Sequence, residues 1–174
     1  ISITFSELSF TLPNGKKILD NLCGFFDNGE LVAVMGPSGS GKTSFLNLFT
    51  GKTQATSGSL AINGRNITGS ESDPRVLGYV VRHSGFVKQY GGFIPELTVK
   101  ENMYYSALLR INGTKYSTAK KIERARDVIS LLGMNKIAEV MVGDDNSGGI
   151  SGGQKRRLIL GMEMLNWPSI YFVD

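Results

Sequence analysis

Gly36-Pro37-Ser38-Gly39-Ser40-Gly41-Lys42-Thr43 is the stretch whose reading decides the fold. It fits G-x-x-x-x-G-K-[ST], a loop in which successive backbone N–H groups turn inward around phosphate oxygens. Its flanks give the pattern its meaning. Upstream, Leu31-Val32-Ala33-Val34-Met35 is a continuous apolar run and reads as a buried strand. Downstream, Ser44 to Phe49 reads as a helix stopped by Gly51. Strand, glycine loop and helix together put the loop at a helix N-terminus, where the partial positive charge favours an anion. Lys42 is then expected to reach the terminal phosphates of a nucleotide, and the Thr43 hydroxyl to ligate Mg²⁺.

The 174 residues, 41% hydrophobic and 20% charged, suit a globular unit with a sizeable core. A net charge of +4 is compatible with nucleic acid, acidic headgroups or a polyanion such as ATP, and does not choose among them. Cys23 is the only cysteine, which excludes an intramolecular disulfide and a cysteine metal cluster; it reads as a small buried apolar residue. No apolar run reaches the ~18 residues of a membrane span.

Before the loop, Ile1 to Phe5 and Leu8 to Leu12 alternate as half-buried strands do, Pro13-Asn14-Gly15 is a turn, and Ile18 to Phe26 resumes the pattern. An antiparallel sheet is therefore expected beside the nucleotide core. Phe10, near a strand end, is either an adenine-stacking ring, worth ~1–3 kcal/mol in nucleic-acid sites, or a core aromatic. After the loop, Gly58 to Gly64 reads as a strand between turns and Gly69 to Pro74 as a polar loop. Gly78 to Arg82 and Gly85 to Gln89 then form two similar segments.

Thr98-Val99-Lys100-Glu101 has capping-box spacing and opens a helix with Met103, Tyr104, Ala107 and Leu108 on one face, ended by Asn112-Gly113. A second helix is predicted from about Ser117 to Leu132. Ile122, Ala125, Val128, Ile129 and Leu132 form its apolar stripe, with Lys120, Lys121, Glu123, Arg124 and Asp127 on its surface. Ser-Gly-Gly then occurs twice. The second copy, Ser151-Gly152-Gly153-Gln154, runs into a strong helix start. Two successive glycines weaken a plain helix cap, so bare N–H groups beside the Ser151 hydroxyl read better as an anion site. Ile170 to Val173 reads as a buried strand, and Asp174 at its end as a carboxylate for Mg²⁺. His83, the only histidine, reads as a loop residue.

The whole constellation resembles the nucleotide-binding domain of ATP-binding cassette (ABC) transporters. Gly36 to Thr43 is similar to the Walker A loop, Ser151-Gly152-Gly153-Gln154 to the family signature with Ile150 where leucine is usual, and Ile170 to Asp174 to Walker B. Gly85 to Gln89 looks like the Q-loop strand. Gln89 is preferred to the parallel Arg82 for its residue type and its distance from Leu97-Thr98-Val99. Ser151 to Arg157, Gly161-Met162-Glu163 and Phe93 to Val99 resemble subfamily G, the White-like pigment transporters and the sterol and multidrug half-transporters.

The resemblance implies an α/β P-loop NTPase fold: a RecA-like core, an N-terminal antiparallel β subdomain and a helical insert. The divisions fall at residues 1–95, 96–150 and 151–174. It implies ATP and Mg²⁺ as ligands, held by Gly36, Pro37, Ser38, Gly39, Ser40, Gly41, Lys42, Thr43 and Ser44. Gln89 and Asp174 would join Thr43 at the metal, and Ser151, Gly152, Gly153 and Gln154 would approach the γ-phosphate from a second copy. Lys42, Gln89 and Asp174 would be the catalytic set. A second nucleotide-binding domain and a transmembrane domain of the same polypeptide are the implied partners, at the cytoplasmic face of a membrane, with no nucleic acid expected. Asp174 precedes the positions where the family carries a catalytic glutamate, a D-loop and a switch histidine, so this stretch alone is expected to hydrolyse ATP poorly. A soluble ABC ATPase of the translation-factor type is the alternative. The nucleotide-excision type needs zinc cysteines, and the chromosome-maintenance type needs a long coiled coil that the sequence lacks.

Overall fold

Four phenylalanines fix the position of the glycine loop. In the computed structural model, Phe45 and Phe49 project from helix α1 (Lys42–Phe49) onto Phe5 and Phe26 of the neighbouring strands. The Phe45–Phe49 centroids lie 4.7 Å apart at near-perpendicular planes, and Phe5 stands 5.5 Å from both Phe26 and Phe45. Each such pair contributes ~0.5–1.5 kcal/mol beyond its buried area, so α1 is locked face-down on the sheet. The structure describes residues 1–68, 74–89, 91–144 and 148–174, with only the backbone at 74 and 76. Most of the polar loop expected at 69–74, and the start of the first Ser-Gly-Gly copy, lie outside the described residues.

The chain divides into two compact units, Ile1–Ser84 and Gly85–Asp174. The first contains an antiparallel sheet of order β2-β1-β3-β4, built from β1 (Ile3–Thr11), β2 (Lys17–Phe26), β3 (Ser57–Ile62) and β4 (Arg65–Asn66). The two strands expected at the N-terminus are one. A bulge at Glu7, with φ of 50°, resets the alternation so that Ile3, Phe5 and Leu8 all face the core. A similar kink at Asn21, φ 48°, turns Cys23 outward, so the cysteine expected inside is exposed and its sulfur accepts the Glu7 N–H. Phe10 is half-buried and sits opposite Leu19.

Leu31–Met35 departs most from expectation. It belongs to neither sheet, and its side chains are exposed, Leu31 at 101% and Met35 at 89%. An apolar run becomes a buried strand only where ladders flank it, and the described residues offer it none. The segment Gly78 to Arg82 differs too. It lies within helix α2 (Pro74–His83), so it is no structural twin of the strand that follows. His83 ends that helix, stacked 4.0 Å from Tyr79, with Nδ1 2.8 Å from the Tyr79 carbonyl.

β5 (Ser84–Val87), which enters the second unit at Gly85, pairs with β6 (Ile170–Val173). Only Phe172 of β6 is buried, against the expectation of a fully buried strand. Three helices, α3 (Val99–Arg110), α4 (Thr118–Leu131) and α5 (Gly152–Met164), pack around Val99, Met103, Ala107, Val128, Leu158 and Met162. The capping box expected for α3 is formed. Glu101 N–H donates to the Thr98 hydroxyl at 3.1 Å, and the Glu101 carboxylate accepts the Thr98 N–H at 2.8 Å. Ser117 caps α4. Lys121 was expected on the surface, yet it is buried: its ammonium donates to the Leu108 carbonyl at 2.9 Å, satisfying an orphan group near the end of α3.

Candidate functional site

The glycine loop closes around its own lysine. Lys42 opens α1, and its ammonium donates to the carbonyls of Gly36 at 3.0 Å and Pro37 at 2.8 Å. Ser40 N–H donates to the Pro37 carbonyl at 3.2 Å, tightening the turn. Two residues need glycine's freedom for this path. Gly39 has φ of 78°, and Gly41, the N-cap of α1, has φ of 94°. A Cβ at Gly41 would also stand 2.9 Å from Ile18 Cγ2 and 3.2 Å from the Ile18 carbonyl, so packing against β2 excludes a side chain as well. Gly36 to Ser40 are solvent-exposed.

That arrangement fits a polyphosphate. A cation bound to loop carbonyls sits inside a turn at a helix N-terminus, where anions are favoured. A divalent metal needs hard oxygen donors. The Thr43 hydroxyl on the first turn of α1, the Gln89 amide oxygen and the Asp174 carboxylate are of that kind, and suit Mg²⁺ better than a softer ion. No cluster of three or more acidic, histidine or cysteine ligands occurs among the described residues.

In the second unit, Gln89 follows β5 by two residues, and Asp174 follows β6 directly. The Asp174 N–H donates to the Val87 carbonyl at 3.0 Å, which brings the ends of the two strands together. The second Ser-Gly-Gly copy does cap a helix. Ser151 Oγ accepts the Gln154 N–H at 3.4 Å, and Gln154 Oε1 accepts the Ser151 N–H at 2.8 Å. A Cβ at Gly152 or Gly153 would meet nothing within 4 Å. Among the described residues, packing requires a glycine at neither position. Gln89 and Gly152 line one open cavity of about 460 Å³, shared with Phe93, Asp144, Lys155 and Arg156. The structure thus gathers Gln89 and the start of α5 within one unit, while Gly36 to Ser44 and Phe10 belong to the other.

Sequence reasoning passed over Asn102. It is 4% exposed and pins the segment beyond Gln89. Its Oδ1 accepts the Ile94 N–H at 2.8 Å, and its Nδ2 donates to the Ile94 carbonyl at 2.9 Å and the Thr98 carbonyl at 3.0 Å. An asparagine inside an apolar helical stripe, one residue from Met103, was the available signal. A second groove, about 240 Å³, lies beside it between α3 and the Gly92–Leu97 stretch. Tyr105, Leu109 and Ile94 are exposed there, Leu109 at 85%.

The sequence model of the ABC transporter family matches residues 19–174. ABC transporter G family member 14 of Arabidopsis thaliana is 38% identical over 160 residues, covering 91% of this chain and 23% of its own length. ABC transporter G family member 1 of Petunia hybrida is 38% identical over 181 residues, covering 100% and 27%. ABC transporter G family member 1 of Dictyostelium discoideum is 33% identical, covering 91% and 19%. The chain thus spans about a quarter of the length of the curated relatives it matches. Among solved structures, a dimeric ATP-binding cassette in a post-hydrolysis state with ADP and Pi bound is similar at a TM-score of 0.75 and 27% identity. That match covers 99% of this chain and 73% of the other. The cbiO1 protein of Clostridium perfringens, part of an ABC transporter complex, shares the fold at a TM-score of 0.79 and 17% identity, over 99% and 64%.

Proposed function

This chain belongs to the ABC transporter family and has its α/β P-loop NTPase fold, and from that premise we propose that it is the ATP-binding and hydrolysing part of a G-type transporter. The observation that carries the proposal is Lys42. Its ammonium is held by the Gly36 and Pro37 carbonyls, inside an exposed loop whose glycines keep side chains out of the way. Loop N–H groups and Lys42 bind and orient the β- and γ-phosphates, and the helix N-terminus favours their charge. Thr43, Asp174 and Gln89 would hold Mg²⁺, which when bound neutralises charge developing between the phosphates. The open backbone at Gly152 and Gly153 supports their role in approaching the γ-phosphate bound by another copy of the chain.

Head-to-tail pairing of two such chains is part of the proposal, supported by the dimeric state of the related cassette. The groove with exposed Tyr105 and Leu109 is the seat proposed for a transmembrane segment of the same polypeptide, which the greater length of the relatives leaves room for. No helix among the described residues is long and apolar enough to cross a membrane. The relatives are transporters, which favours this reading over a soluble translation-factor type.

Complementation tests the composite site. In the full-length polypeptide, Lys42→Ala and Gly153→Asp each remove ATPase activity. Mixed dimers of the two rebuild one intact site in every heterodimer, and about a quarter of wild-type activity returns if pairing is random. Activity that survives Lys42→Ala, or mixtures that stay inactive, would contradict the proposal.

A further inference from the structure

We propose that Arg110 is a positioning residue for the signature, tying the wall of the Tyr105–Leu109 groove to the far end of α5. The inference rests on the reading of Ser151–Gln154 as a γ-phosphate contact. Arg110 ends α3 and lines the groove beside Tyr105 and Leu109. One guanidinium nitrogen donates to the Met162 carbonyl at 3.1 Å and another to the Glu163 carboxylate at 2.7 Å. Glu163 is largely buried, its side chain 18% exposed.

Met162 carries one of the last four carbonyls of α5, groups that have no partner within the helix. A cation there also suits the negative end of the helix dipole. Arg124 does the same from α4, donating to the Met164 carbonyl at 2.7 Å while stacking over Trp167. Further along α5, Gly161 lets the helix approach so closely that a Cβ would stand 2.8 Å from Leu132 Cδ1. The end of α5 is therefore held by one glycine contact and two arginines.

The other end of α5 is Ser151–Gln154, twelve residues from Glu163 at Ser151. The helix between them rises about 1.5 Å per residue, so a displacement of one end is carried along its hydrogen-bonded length to the other. Of the two arginines, Arg110 is the one that also faces the groove. An occupant that shifts Arg110 therefore shifts the end of α5, and with it the glycines. No other side chain both lines the groove and hydrogen-bonds to the Glu163 carboxylate among the described residues.

The test uses the full-length polypeptide with Arg110→Ala, Arg110→Lys, Glu163→Ala and the double variant Arg110→Ala/Glu163→Ala. Mutations along networks of this kind change coupling several-fold, so Arg110→Ala is expected to lower kcat about fivefold. KM for ATP should stay within about twofold because the Lys42 loop is untouched, a split that marks loss of interactions beyond ground-state binding. Arg110→Lys keeps the charge but not the fork, and should recover about half of the loss. The double variant should be no worse than Arg110→Ala, since both remove one interaction. Hydrogen exchange at the Lys155–Met162 amides should also quicken in Arg110→Ala. An unchanged kcat, or losses that simply add in the double variant, overturns the proposal. If wild type lacks Lys42-dependent ATPase, the transport-motor reading fails by itself, and exchange then decides the tie: faster supports it, unchanged overturns it. If Arg110→Ala does not fold, Glu163→Ala replaces it, with about a twofold drop in kcat expected and no drop overturning the proposal.

Discussion

Replacing Asn102 with leucine removes its hydrogen bonds and keeps the number and branching of its side-chain heavy atoms. Three bonds of 3.0 Å or shorter are lost, to the Ile94 N–H, the Ile94 carbonyl and the Thr98 carbonyl. At about 1 kcal/mol net per bond, the direct loss is about 3 kcal/mol. Leucine is the better helix former, which offsets about half a kcal/mol. The expected destabilisation is therefore about 2.5 kcal/mol, or a fall of ~1–2 M in the urea midpoint for a typical slope. Urea unfolding followed by circular dichroism measures it. Asn102→Asp separates the two halves of the interaction, since it keeps an acceptor for the Ile94 N–H but sets a carboxylate against two carbonyls. It should be at least as destabilising as leucine at neutral pH and should partly recover in acid, where the protonated carboxyl donates once. A leucine variant whose midpoint stays within about 0.3 M of wild type would refute the reasoning.

Two further outcomes are expected. Gly41→Ala forces a left-handed φ of 94° and a Cβ against Ile18. It should lower stability by about 2 kcal/mol and weaken ATP binding at least as strongly as it lowers the thermal midpoint. A variant that binds ATP normally would be inconsistent with the loop geometry. The Glu101 carboxyl is held below its ordinary value of 4.5 by the Thr98 N–H and hydroxyl, which bond its charged form. Its contribution is complete above that value and disappears as pH falls through the lowered pKa. Thermal midpoints of wild type should therefore converge on those of Glu101→Gln between neutral pH and about pH 3. Curves that run parallel would exclude this source of acid sensitivity.

The features written in local chemistry were legible in the sequence. The Thr98–Glu101 and Ser151–Gln154 capping boxes need only spacing of three and the right oxygens, and both form. The apolar stripe of α4 is likewise a matter of period, and Ala125, Val128 and Ile129 are buried as it requires. Features that depend on partners far along the chain were not legible. Leu31–Met35 has strand composition but lacks ladders among the described residues, and Cys23 faces out because a kink two residues earlier reverses the alternation. The two look-alike segments near residue 80 separate into a helix and a strand, a distinction their letters do not carry. Lys121 and Asn102 resemble surface residues until the carbonyls they satisfy are located.

The account depends most on the claim that Lys42 and its glycine loop bind a nucleotide triphosphate. Equilibrium binding of MgATP, wild type against Lys42→Ala, tests it most directly. Hydrogen bonds from a charged donor are worth ~1.5–3 kcal/mol, so the alanine variant should bind about 10 to 100 times more weakly. Equal affinity in the two proteins would contradict the assignment of the Gly36–Thr43 loop as the phosphate site.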